Sequence, residues 1–210
     1  MGRQEKLSYV NWVNHVLHNS INSRTTTLEK FRIALPLDHS HQDELGKWIE
    51  FAVSRKVQDI EIDLTDVTCK DDSHRKQYVL LPRELLRSQR RRTFFSSLKS
   101  MSLHWVCVDD QTADFLLSSV GCPLLERLSM KRITKLKKFE VVGPSLKLKY
   151  LEICDILGPI SIKICNVASL KSFKNRETWE GLILENAPLL VLVDIGPQIF
   201  ICKLATITLL

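Results

Sequence analysis

A six-residue pattern of apolar residues recurs along this chain of 210 residues, and this repetition constrains the fold more than any other feature. The pattern is apolar, two variable residues, apolar, one variable residue, apolar. Such spacing indicates a short strand whose fourth and sixth residues point into a core. One copy cannot bury those side chains, whereas stacked copies can. The copies begin at Leu28, Val57, Leu98, Leu125, Leu148, Leu170 and Leu190, and the copy at Leu170 lacks its last apolar residue.

From Leu98 onward the copies begin 27, 23, 22 and 20 residues apart, which matches the period of roughly 20 to 29 residues in leucine-rich repeats. The predicted fold is therefore an α/β leucine-rich-repeat solenoid, a curved horseshoe with short parallel strands on its concave face. Two further copies, around Leu136 and Ile160, fall about halfway between consecutive strands and are predicted on the convex side. Residues 114–120 have a helical pattern that ends before Gly121. The predicted convex side thus mixes helix and strand.

Two amphipathic helices are predicted near the N-terminus. The first places one apolar face at the helical spacing of Tyr9, Trp12, Val13, Val16 and Leu17. The second has the same spacing at Leu45, Trp48, Ile49, Ala52 and Val53. Ser40 and Asp43 before it resemble a capping box, with Asp in place of the usual Glu.

We divide the chain into an N-terminal helical segment at residues 1–27 and a repeat array at residues 28–210. The array is irregular at residues 65–97, because Val57 and Leu98 are too far apart for one repeat and too close for two. Residues 199–210 are strongly apolar, whereas repeat arrays normally end in a polar cap. We therefore expect an uncapped C-terminal end whose exposed strand edge promotes association.

Composition excludes several function classes. Only seven glycines occur, which argues against a fold built on glycine-rich phosphate loops. Ten or more residues separate the six cysteines, so no zinc-ligand spacing is present and the thiols are expected to be reduced. Neither a signal peptide nor an uninterrupted apolar stretch of membrane-spanning length is found. The expected location is cytoplasmic or nuclear, with no membrane partner.

Several polar groups suggest chemistry, but each has a simpler explanation. His39 and His41 with Asp43 offer no fourth metal ligand of defined spacing, so we predict no metal site. Asp109 and Asp110 precede a predicted helix, where carboxylates stabilise the N-terminus, and are expected to cap it. No spacing brings a nucleophile together with a base. The chain is therefore predicted to be non-enzymatic, with no catalytic residues and no cofactor.

The alternation of side chains along each strand predicts a partner-binding surface. If the fourth and sixth residues of each copy point inward, the third, fifth and seventh face the concave side. These positions alternate in charge from strand to strand, which suits a protein partner better than a nucleic acid. Tyr and Arg are favoured anchors of protein interfaces, so Arg127 and Tyr150 are expected to be central. The predicted partner-binding residues are Arg32, Glu61, Asp63, His104, Arg127, Lys131, Tyr150 and Glu152.

Two basic clusters, residues 83–92 and 131–138, leave an alternative open. They could bind nucleic acid or a nuclear-import receptor. Aromatic residues make up only 7% of the chain, however, and the clusters lack interleaved stacking groups beyond Phe94 and Phe95. A solvated loop is the favoured interpretation, and nucleic-acid binding is the alternative. A truncated gene product without activity is a third hypothesis.

The ordered set of motifs resembles the leucine-rich-repeat region of the plant F-box/LRR-repeat family. The phrase Gly121-Cys-Pro-Leu-Leu-Glu-Arg-Leu-Ser129 is the most diagnostic part of this resemblance. The other matching segments are the helix from Tyr9 to Leu17, Phe31-Arg-Ile33, the Trp48 helix with residues 57–64, Leu81-Pro82-Arg-Glu-Leu85, and residues 95–103.

The resemblance implies substrate recognition within a cullin-type (SCF) ubiquitin ligase, with a protein substrate as partner. In the family an F-box of some 40 residues precedes the first helix, whereas only eight residues precede Tyr9 here. A Skp-type adaptor, which the F-box binds, is therefore not expected to bind these 210 residues. The family also supplies another full repeat after Leu86 and often a following FBD domain, and neither is seen in this sequence.

Overall fold

One short parallel strand from each of the seven predicted copies joins a single sheet in the computed structural model of this protein. The model describes residues 3–20, 27–37, 39–65, 77–80, 94–176, 181–196, 198–200 and 206–208. The strands are β1 (Lys30–Ala34), β2 (Asp59–Asp63), β3 (Ser100–His104), β4 (Arg127–Lys131), β6 (Tyr150–Cys154), β8 (Ser172–Asn175) and β10 (Leu192–Ile195). They stack in that order as a solenoid, so the predicted leucine-rich-repeat fold class is confirmed.

A second sheet lies on the other side of the solenoid and contains the parallel strands β5 (Lys138–Val142), β7 (Ser161–Cys165) and β9 (Leu182–Glu185). The first two are the outer strands that the half-period copies predict. The third was not predicted. Both sheets send alternate residues into a shared core, where Phe139, Phe173 and Leu128 are almost completely buried. This burial explains the sequence pattern, because each repeat completes its core only with its neighbours.

The end of the chain reverses direction in both sheets. The backbone of β11 (Gln198–Phe200) pairs antiparallel with β10, and that of β12 (Thr206–Thr208) pairs antiparallel with β9. The repeat pattern predicted neither strand. The expectation that an uncapped end promotes association stays a prediction.

The predicted irregular region lies between two strands that are neighbours in the first sheet. β2 pairs directly with β3, from Asp59 with Ser100 to Asp63 with His104. Within this region Val79 forms a parallel bridge with Cys107, and the same ladder continues from Cys107 to Thr134 and Leu157. Residues 66–76 and 81–93 of the predicted irregular segment lie outside the described residues.

The N-terminal helix α1 (Arg3–Ser20) packs through a face that differs from the predicted one. Val10 is buried and Val13 and Leu17 pack against the core, whereas Tyr9 and Trp12 are 41% and 58% exposed. Val16, also predicted on the buried face, is exposed as well. The buried face is set by the second helix, α2 (Gln42–Ser54), whose Trp48 Nε1 donates a hydrogen bond to Asn14 Oδ1 of α1 at 2.7 Å.

The predicted capping box before α2 is wrong. His41 occupies the N-cap position and makes no side-chain capping hydrogen bond. Ser40 lies in a short 3₁₀ helix, His39–His41, and its hydroxyl is 3.0 Å from the His41 ring instead. The predicted apolar face of α2 is confirmed, since Leu45 and Trp48 are buried.

The third helix, α3 (Asp110–Leu116), has the predicted cap and ends earlier than predicted. Asp109 Oδ1 accepts hydrogen bonds from the backbone N–H of Thr112 at 2.9 Å and from its hydroxyl at 2.8 Å. Gly121 follows in a tight turn, where a Cβ atom would lie 1.9 Å from the Phe115 carbonyl oxygen. The diagnostic glycine is thus required by a close backbone approach.

Sharp corners follow three strands of the first sheet. Trp105, Arg132 and Asp155 come directly after β3, β4 and β6 and have φ angles of 64°, 52° and 55°. The N–H of Trp105 donates to the Lys131 carbonyl and that of Arg132 to the Cys154 carbonyl. Because the corners at Trp105 and Arg132 hydrogen-bond to the next turn, β3 and β4 leave the sheet in the same direction.

The described part of the chain holds no group of His, Cys, Asp and Glu arranged to bind a metal. Four cysteines in it, Cys107, Cys122, Cys154 and Cys165, are buried free thiols. Burial raises the pKa of Cys122 well above its ordinary value, which makes a thiolate nucleophile unfavourable there. Within the same residues, no helix is both long and apolar enough to cross a membrane.

Candidate interaction surface

The outward-facing residues of the first sheet form straight rows because its parallel strands pair in register. One row runs through Lys30, Asp59, Ser100, Arg127, Tyr150, Ser172 and Leu192. A second row runs through Arg32, Glu61, Ser102, Ser129, Glu152, Lys174 and Asp194. The alternation predicted for each strand is observed, since the residues between these positions are buried along β2, β3, β4 and β6. We call this surface the inner face.

Arg127 and Tyr150 are direct neighbours on the inner face. They are register partners in β4 and β6, and the Arg127 guanidinium carbon lies 4.5 Å from the centre of the Tyr150 ring. Such a cation–π contact orients both side chains. Tyr150 keeps 39% of its surface exposed. The structure therefore presents a pre-oriented Arg–Tyr pair near the middle of the face.

Glu152 forms the centre of a three-strand polar network. Its Oε2 accepts a hydrogen bond from the Ser129 hydroxyl at 2.7 Å and lies 3.0 Å from Lys131 Nζ. Its Oε1 lies 3.0 Å from Lys174 Nζ on the other side. Partial burial opposes ionisation of Glu152, but the hydrogen bonds from Ser129, Lys174 and Lys131 outweigh it and lower its pKa to about 2. Glu152 is thus a carboxylate at any physiological pH.

The N-terminal end of the inner face is a separate ion-pair group. Glu61 lies 3.0 Å from Lys30 Nζ and 3.1 Å from Arg32 Nε. Because all three side chains are partly exposed, these pairs contribute little to stability. They hold the positive charges of β1 close to the carboxylates of β2.

Asp63 and His104 are also brought together, at the ends of β2 and β3. His104 Nδ1 lies 3.4 Å from Asp63 Oδ1, which also accepts a hydrogen bond from the Thr65 hydroxyl at 2.6 Å. Burial of Asp63 raises its pKa, but the hydrogen bonds from Thr65 and the charge of His104 reverse the effect and leave the pKa lowered. The contact between Asp63 and His104 therefore does not produce a carboxyl group with a raised pKa.

All eight predicted residues thus lie on strands of the inner face, in four groups. Sequence reasoning missed that Lys174 shares Glu152 with Lys131, and that Leu192 and Asp194 extend the two rows. Leu192 is 41% exposed in the same row as Tyr150. The signal for these two was available, since Leu192 and Asp194 occupy the third and fifth positions of the copy at Leu190.

The basic clusters do not form one surface in the described residues. Lys131 ends β4 on the inner face, whereas Lys138 begins β5 in the second sheet and pairs with Glu140 at 3.1 Å. The other cluster, residues 83–92, lies outside the described residues.

A known protein is similar in sequence to part of this chain. The chain is 25% identical over 128 residues to a putative F-box/LRR-repeat protein of Arabidopsis thaliana, which covers 54% of this chain and 28% of the relative. The chain thus matches less than a third of that protein's length. No protein-family model matches the chain, and no solved structure matches it. The likeness supports a leucine-rich-repeat type of chain.

Proposed function

We propose that this chain is a non-enzymatic protein-interaction module whose inner face binds a protein partner. We further propose that it acts as the substrate-recognition region of an F-box subunit in an SCF-type ubiquitin ligase, in the cytoplasm or nucleus. The solenoid fold and the F-box/LRR-repeat relative support the proposal.

The Arg127–Tyr150 pair is the observation that carries the proposal. Both side chains combine a flat apolar surface with hydrogen-bonding groups, and such residues dominate the binding energy of protein interfaces. Their mutual contact reduces the conformational entropy lost when a partner binds. The inner face carries carboxylates as well as cations, which favours a protein over the uniformly negative backbone of a nucleic acid.

Replacement of Arg127 or Tyr150 by Ala tests the proposal. Proteins captured by the wild-type chain are identified, and their capture is then measured with each variant. We expect each substitution to weaken capture by about 1 to 2 kcal/mol, or roughly 5- to 30-fold. Val142→Ala is the matched control, because Val142 is 50% exposed in the second sheet. It should leave capture unchanged.

Circular dichroism separates a binding defect from a folding defect. Both side chains point away from the core, so the spectra of Arg127→Ala and Tyr150→Ala should match that of the wild type. If both variants capture partners as well as the wild type does, the inner face is not the binding surface. If both unfold, their role is structural.

The ligase role has its own test. We expect the 210-residue chain not to bind a purified Skp-type adaptor, and the same chain carrying an F-box fused before Arg3 to bind it. Stoichiometric adaptor binding by the unfused chain would show that its N-terminal helix has been misinterpreted.

A further inference from the structure

Positive charge accumulates on the inner face where β4, β6 and β8 lie together. At the outward positions of these strands and directly after β8, four cationic side chains accompany one carboxylate, Glu152. On β1 and β2, by contrast, two cations accompany the three carboxylates of Asp59, Glu61 and Asp63. The inner face is therefore electrostatically divided along its length. The four cations are Arg127, Lys131, Lys174 and Arg176.

The Glu152 network leaves part of this positive charge available. A single carboxylate contacts both Lys131 and Lys174, each at 3.0 Å, and so compensates only one of their two charges. Arg127 contacts the Tyr150 ring, which carries no charge. Glu152 holds both lysine ammonium groups in place, and the side chains of Lys131 and Lys174 remain 39% and 32% exposed. An additional anion would meet cations that are already oriented.

Apolar surface borders the same region. Tyr150 and Leu192 are 39% and 41% exposed and share a row, with Ser172 between them. Two strand spacings separate them, or about 10 Å. A ligand that places a carboxylate near Lys174 can therefore place an apolar side chain on Tyr150 or Leu192.

We propose that the part of the inner face between β4 and β10 binds an acidic peptide segment that carries an apolar side chain among its Asp and Glu residues. This inference rests on the proposed function and defines the chemistry of the partner. Carboxylates of the segment contact Lys131, Lys174 and Arg127, and its apolar side chain packs on Tyr150 and Leu192. Nucleic acid fits less well, because only Tyr150 offers an aromatic surface for base stacking in the two rows.

Selection from a random peptide library with the full 210-residue chain tests this inference. We expect the enriched peptides to contain several Asp or Glu residues and at least one large apolar residue. Their affinity should fall as salt concentration rises, since the lysines are partly exposed.

A double variant, Lys131→Ala with Lys174→Ala, should bind the enriched peptides at least about 10-fold more weakly. The matched control is Lys138→Ala with Lys163→Ala, which removes two lysines beside Glu140 in the second sheet. The control should bind the peptides like the wild type.

A triple variant keeps the test valid if the double variant fails to fold. Replacement of Lys131, Lys174 and Glu152 by Gln removes the lysines together with the carboxylate that they stabilise. It should lose binding to the same extent.

The inference is wrong if the selection enriches no peptides, or enriches neutral or basic ones. It is also wrong if acidic peptides bind the lysine variants as tightly as they bind the wild type. A single-stranded oligothymidylate that binds more tightly than any peptide would overturn it as well. One further result would separate this inference from the proposed function. A captured protein partner that depends on Arg127 and Tyr150 but not on the two lysines would refute the acidic segment and leave the interaction module intact.

Discussion

Replacement of Glu152 by Gln should destabilise the protein at neutral pH and have much less effect in acid. The wild-type carboxylate interacts with Ser129, Lys131 and Lys174, and its pKa falls from an ordinary 4.5 to about 2 in the folded protein. Glutamine keeps the shape of the side chain and loses the charge. The substitution therefore isolates the charge-dependent part of the network.

The magnitude follows from the linkage between ionisation and folding. A pKa lowered by this amount corresponds to at most about 3 to 4 kcal/mol of stabilisation, at about 1.4 kcal/mol for each pKa unit. Solvent reaches part of the site and screens the charges, so we expect a loss of about 1 to 2 kcal/mol. Because the folded pKa is lowered, the stabilisation is complete above about pH 4.5 and disappears as the pH falls towards 2.

Urea unfolding followed by circular dichroism measures this difference. The free energies of unfolding of the wild type and Glu152→Gln are compared at about pH 7 and about pH 3, where the gap should shrink by more than half. Glu140→Gln, which removes the carboxylate of a single exposed ion pair in the second sheet, should cost less at neutral pH. A gap for Glu152→Gln that stays constant from neutral to acidic pH would refute the reasoning, since the charge would then contribute nothing.

Three further substitutions concern helices and turns, and urea unfolding measures the effect of each on stability. Gly46→Ala should stabilise the protein by up to about 1 kcal/mol, because Gly46 lies within α2 and an added Cβ has open space. Gly121→Ala should destabilise it, since the new Cβ would collide with the Phe115 carbonyl, and equal effects of the two alanines would contradict this turn geometry. Asp109→Ala should cost about 1 kcal/mol by removing the cap of α3, with Glu29→Ala as a control at an exposed acidic position; a loss no greater than that of the control would show that the cap contributes nothing.

The strands of the first sheet were predictable because their sequence pattern has a direct structural cause. Inward residues alternate with outward ones, and every repeat must bury the same two positions, as Leu128 and Met130 do in β4. β9 was not predicted although the signal was available, since Trp179, Leu182 and Leu184 have the six-residue spacing and the two leucines are buried.

The face of α1 could not be predicted from spacing alone. The helix carries more apolar residues than it buries, so several faces satisfy the pattern. The hydrogen bond from Trp48 to Asn14 and the burial of Val10 select the face that packs on α2. Both depend on how two helices meet, which neither sequence segment encodes by itself.

The members of the inner face were predictable, but their interactions were not. Alternation along each strand predicts that Lys131 and Glu152 face outward. Their contact requires the register between β4 and β6, in which Ser129 is opposite Glu152. Turns of unequal length connect the strands, so residue counts do not give this register. The register is given by the backbone pairing of β4 with β6.

The unequal turns also have a geometric consequence for any ligand. Neighbouring strands lie about 4.8 Å apart whatever the length of chain between them, so the side chains of each row are evenly spaced. An α-helix that lies across the strands advances about 5.4 Å per turn, which is close to the spacing between strands. In an extended peptide, side chains on one side repeat about every 6.8 Å, and they coincide with the rows only once in about three strands. Residues three or four apart in a bound helix would therefore meet adjacent strands, whereas an extended ligand would contact widely spaced ones.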